Sequence, residues 1–175
     1  LSDPITSWSE RKEYVLRHPL RSIEELRELY DSEKISLGLV KPRHIEGFVY
    51  EPCPESWKES WEQDLRQLRL FGPNNEPIKK LPYKFSYCFK CEDARCTGHT
   101  LMIEDWEVGA LYWRELERLG DKGEAAESVR RKFFDIMCNP DKEVYFYVGT
   151  TYRFGTWVIL GVFNPPKVVQ QEFSF

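Results

Sequence analysis

Apolar and polar positions recur along this chain with two different periods, and the switches between them divide it into elements. Ile23, Leu26 and Tyr30 repeat with helical spacing behind Ser22 and Glu25. A serine followed three residues later by glutamate is a capping box, in which each side chain satisfies a free amide at the helix start, so residues 23–33 are expected to be a helix. Gly38 and Pro42 punctuate the next stretch. Ile45, Phe48, Val49 and Tyr50, closed by Pro52, predict a strand. Ser56 and Glu59 repeat the capping box ahead of an apolar stripe of Trp57, Trp61, Leu65 and Leu68. That predicts a helix over 57–68, stopped by Gly72-Pro73-Asn74-Asn75.

The period then changes to two. Tyr83, Phe85, Tyr87, Phe89 and Cys91 share one face of a strand, while Lys84, Ser86, Cys88 and Lys90 share the other. From Asp105 to Leu119 the helical period returns, with Trp106, Ala110 and Trp113 on one stripe. Ala126, Val129, Phe133 and Met137 mark another helix, ended by Asn139-Pro140. Two β-rich runs, Val144–Gly149 and Trp157–Phe163, flank a turn around Arg153 and Gly155 and read as an antiparallel hairpin. Residues 1–19 read as a polar arm with a helical turn, 20–165 as one domain and 166–175 as a tail. The expected class is α+β: a mixed or antiparallel sheet packed by about four helices, with a C-terminal hairpin.

Composition narrows the function classes. Of 175 residues, 41% are hydrophobic and 15% aromatic, enough to build a core and to exclude a disordered chain. The 25 bases are outnumbered by 29 acids, giving a net charge of −4, so a uniformly basic coat is excluded and only a local basic patch is possible. No apolar run approaches the ~20 residues that span a bilayer. No signal peptide is visible, although a chain that begins at Leu1 rather than Met reads as a fragment. Scattered glycines form no phosphate-binding loop, which argues against nucleotide chemistry.

Five cysteines, an odd number with three inside nine positions, suit reduced thiols in the cytoplasm better than a disulfide framework. Cys88, Cys91, Cys96 and His99 form C-x2-C-x4-C-x2-H, a donor set fit for zinc. Strand alternation, however, puts Cys88 and Cys91 on opposite faces. Cys91, Cys96 and His99 with a distant fourth ligand, such as Cys53, is the alternative. A catalytic version uses His99 with Asp105 and Glu107 as acid/base or metal groups of a nuclease or hydrolase. Acids at a helix start, on the other hand, complement its dipole without any further role.

The tyrosines and phenylalanines of 83–89 are either a stacking platform for unpaired bases or the core-facing side of a strand. Lys84 and Lys90, with Arg130, Arg131 and Arg153, would contact phosphates in either case. DNA or RNA is therefore the expected ligand of a small binding module, zinc-stabilised, with the metal-dependent enzyme as the alternative. A third reading is a protein-interaction domain that uses the tryptophan-rich helix and the tail Gln171–Phe175. The tail loosely resembles glutamine-and-aromatic motifs that dock on replication sliding clamps.

Phe89-Lys90-Cys91 through Cys96-Thr97-Gly98-His99, followed by Asp105-Trp106-Glu107, resembles a segment of an uncharacterised prokaryotic protein family. The resemblance covers roughly residues 80–115. It implies that the segment is a defined unit, and attaches no activity or catalytic residue.

Overall fold

The structure, a computed structural model, describes residues 4–56, 79–151 and 155–167. The expected 57–68 helix, Arg153 and the tail Gln171–Phe175 lie outside the described residues. In chain order the elements are α1 (Pro4–Val15), α2 (Ile23–Glu33), β1 (Leu37–Val40), β2 (His44–Pro52), β3 (Tyr83–Lys90) and β4 (His99–Met102). They continue with α3 (Trp106–Leu119), α4 (Lys122–Arg130), β5 (Tyr145–Thr150) and β6 (Trp157–Phe163). A π-helical segment, Arg131–Ile136, continues α4 without a break. The class is α+β, and β5–β6 is the C-terminal hairpin.

The strands form two small antiparallel sheets, β2-β3-β4 and β1-β5-β6, rather than one. They are joined where Ile103 bridges Ile159 and the Glu104 amide donates to the Ile159 carbonyl at 2.8 Å. Strict alternation on β3 decides what lies between them. Phe85, Tyr87 and Phe89 point inward and are 1% exposed or less, and the rings of Tyr87 and Phe89 meet Phe146 of β5 at 4.8 and 5.1 Å. Rings this deep are unavailable for stacking bases, so of the two sequence-level readings of this strand the core is the one realised. The Tyr87 hydroxyl donates to the Phe133 carbonyl, and burial pushes its ionisation far above the usual range.

The helices close the other sides of the core. Ala125, Ala126, Val129, Phe133 and Met137 all face inward, along the predicted stripe. On α3 the buried side is instead Val108 and Tyr112, and Trp106 is 78% exposed. Val108 and Tyr112 fall one turn apart and meet β3 through Tyr112 and Phe85, 6.4 Å between ring centres, which leaves the first residue of the helix turned outward. The N-terminal arm is a three-turn helix. Its Trp8 packs at 5.9 Å from Phe163, and Lys12 pairs with Glu143. None of the described helices is long and apolar enough to cross a membrane.

Candidate metal centre

The loop after β3 turns sharply back into β4. The Cys96 amide donates to the Asp93 carbonyl at 3.0 Å, and the Cys91 amide donates to Cys96 Sγ at 3.2 Å. Gly98 then takes φ of +108°, a conformation that L side chains rarely adopt, and so delivers His99 to the first position of β4 with its ring inward. Cys91, Cys96 and His99 thereby converge at one end of the β2-β3-β4 sheet.

The fourth member comes from elsewhere in the chain. Ser22 caps α2: its Oγ accepts from the Glu25 amide at 3.0 Å, and Glu25 Oε2 accepts from the Ser22 amide at 2.8 Å. The same Ser22 hydroxyl donates to Asp93 Oδ2 at 2.9 Å, tying the helix start to the loop. Arg95 strengthens the tie by bridging Asp93 and Glu28. This docking aims Glu24, one residue into the helix, at the loop. One ligand atom from each of Glu24, Cys91, Cys96 and His99 lies within 4.8 Å of all the others. His99 Nε2 is 2.9 Å from Glu24 Oε1 and 3.3 Å from Cys96 Sγ.

Bonds of about 2.0–2.3 Å to a tetrahedral zinc put donor atoms roughly 3.3–3.8 Å apart. The cluster is already near that size and needs only small side-chain adjustments to reach it. It is also largely buried: Cys91 is 4% and His99 9% exposed, while Cys96 and Glu24 are half-buried. Glu24 Oε2 is buried without a hydrogen-bond partner among the described residues. Burial pushes the Cys91 thiol up to about 12, with Cys96 and Glu24 adding to the rise, while a hydrogen bond from the Ile23 backbone opposes it. Ionised together at a largely buried site, two thiolates and a carboxylate would repel one another, and a cation between them would offset that repulsion.

The remaining sequence candidates fall elsewhere. Cys88, the first cysteine of the motif, stands on the outer face of β3 with its sulfur 3.5 Å from Thr100 Oγ1, so it is not a member of the cluster. Period-two alternation is the reason, because three residues along a strand reverses the face. Cys53 donates to the Leu81 carbonyl at 3.2 Å and is not a member either. Asp105 caps α3 by accepting from the Glu107 amide at 2.9 Å, and neither carboxylate belongs to the group around His99. All five thiols are free. Glu24 was missed at the sequence level, where nothing distinguishes it from the other acids of an exposed-looking first turn.

Of the five basic residues, Lys90 is paired with Glu46 at 3.2 Å. Arg130 is held by Asp135 at 2.9 Å through both ends of its guanidinium, and by Glu127 at 2.7 Å. Those two are therefore poor phosphate ligands, because their charge is already matched. Lys84 is exposed and lies across from Glu51 on the β2–β3 ladder. Arg131 is exposed and makes no ion pair among the described residues. It lines an open groove of about 640 Å³ between α3 and the π-helical segment.

The fold and the cluster define a class: a small α+β domain whose β3–β4 loop forms a Cys/His knuckle closed by a helix, with four potential ligand atoms in one place. The family model described as "Domain of unknown function (DUF8757)" matches residues 19–175, and the chain belongs to that family. No curated protein and no solved structure matches the chain.

Proposed function

We propose that this domain is a metal-braced binding module in which one zinc ion, held by Glu24, Cys91, Cys96 and His99, fastens α2 to the β3–β4 loop. The observation that carries the reading is the convergence of four donor atoms, from two distant stretches of chain, within 4.8 Å. Two thiolates with an imidazole favour zinc over magnesium or calcium, which take oxygen ligands. Four protein donors fill a tetrahedral shell and leave no coordination position for water, the arrangement of a structural and not a catalytic zinc. The ligand we propose for the module is nucleic acid, supported by two exposed cations without ion-pair partners among the described residues, Arg131 and Lys132. Free thiols at all five cysteines suit a reducing compartment, and the cytoplasm is the one proposed.

Elemental analysis of the full chain purified without chelator tests the brace. One zinc per chain is expected. Less than a tenth of an equivalent, both as purified and after incubation with zinc and desalting, overturns it.

A further inference from the structure

The groove between α3 and the π-helical segment carries more positive than negative charge. The chain as a whole is net acidic, yet the groove is lined by four cations, Arg114, Arg118, Arg131 and Lys132, against two carboxylates, Glu107 and Glu115. Glu115 is shared, 3.6 Å from Arg114 and 2.5 Å from Arg118. Arg131 and Lys132 on the opposite wall are exposed and make no ion pair among the described residues. Trp106 stands at the groove, 78% exposed, and makes no ring contact with another described aromatic. An indole this open on a surface helix is costly to leave in water, and here it stands beside unpaired positive charge.

We infer that this groove binds single-stranded nucleic acid, with an unpaired base stacked on Trp106 and phosphates held by Arg131 and Lys132. Flat apolar ring plus flanking cations is the combination that recognises single strands, since every base offers a face and every nucleotide a phosphate. A duplex hides its base faces in the stack and has nothing to offer the indole. This inference rests on nucleic acid being the module's ligand and adds the surface and the strand state. It moves the stacking from the β3 rings to Trp106, sets Lys90 and Arg130 aside, keeps Arg131 and adds Lys132. Burial removes the β3 rings, and ion pairing removes Lys90 and Arg130.

The test is fluorescence anisotropy of the zinc-loaded full chain with labelled single-stranded and duplex oligonucleotides of one sequence, both DNA and RNA, at about 50 mM salt. Single strands are expected to bind more tightly than duplex. Arg131→Glu with Lys132→Glu should weaken binding at least tenfold and flatten the slope of log K against log salt by about 1.4, the value for two lost phosphates. Trp106→Ala should weaken binding roughly tenfold with the salt slope unchanged, the mark of lost stacking and not of lost charge. Single-strand binding that ignores all three substitutions overturns the groove while leaving nucleic acid as the ligand. Duplex preferred over single strand overturns the strand assignment. No binding by any oligonucleotide overturns both, and an acidic amphipathic peptide that binds in a groove-dependent way would then identify the occupant.

Discussion

The knuckle and the groove sit on opposite terms with water. At the knuckle the functional groups turn toward one another: two sulfurs, an imidazole and a carboxylate meet at a largely buried site, and even the surrounding loop is pinned by Ser22, Asp93 and Arg95. At the groove the charges turn outward, and two of them find no partner among the described residues. Inward-turned donors suit the proposed brace, because four protein ligands would complete a tetrahedral shell without water. Outward-turned cations beside an exposed indole suit a ligand, because they gain partners only when something binds. Residue type separates a donor set from a cationic patch, and burial adds which of each is free to act.

Taking the metal away should erase this contrast most completely. Chelation, or His99→Ala, should abolish zinc stoichiometry and lower Tm by more than about 10 °C, roughly 3–5 kcal/mol for a domain of this size. Elemental analysis paired with thermal melting reads both. A Tm that does not move would make the cluster incidental to stability.

Glu24→Gln probes the same site through the sign of its effect. In zinc-loaded protein the substitution should cost affinity by at least about tenfold, since a neutral amide is a poor ligand, and should lower Tm. In chelated protein it should leave Tm unchanged or raise it, because a buried carboxylate with an orphaned oxygen has been neutralised. Melting curves with and without zinc give the two signs directly.

Ser22→Ala removes the α2 cap and the link to Asp93 together, and is expected to destabilise by about 1 kcal/mol with zinc retained. Chemical denaturation measures it. The smallest effect belongs to Cys88→Ser, a change on the outer face of β3. It should hold stability within about 0.5 kcal/mol and leave zinc stoichiometry intact, whereas Cys96→Ser should not. Equal loss of zinc in the two variants would return Cys88 to the ligand set.

Much of the fold was legible because it rests on short-range pattern. The capping box at Ser22–Glu25, the period-two run on β3, the 126–137 stripe and the β5–β6 pairing each needed only neighbours in sequence. Strands β1 and β4 escaped notice because four residues carry too little periodicity, and each is defined by its partner across the sheet. On α3 the stripe of Trp106, Ala110 and Trp113 was plausible by spacing, but the face that entered the core was chosen by the fit of Val108 and Tyr112. The candidate site divided in the same way. Alternation already set Cys88 against Cys91, whereas no local signal could mark Glu24 among the acids of its helix.

The amino-acid order by itself determined α2, α3, α4, β2, β3 and the β5–β6 hairpin, that β3 presents rings to one side and lysines to the other, and that Cys91, Cys96 and His99 lie close enough along the chain to meet. Tertiary structure alone decided that Glu24 joins them, that Lys90 and Arg130 are neutralised, and that Trp106 stays in solvent beside Arg131 and Lys132. The physical reason is range. Periodicity and capping act over a few residues, while a ligand set, an ion pair or an open groove depends on which distant surfaces burial brings together.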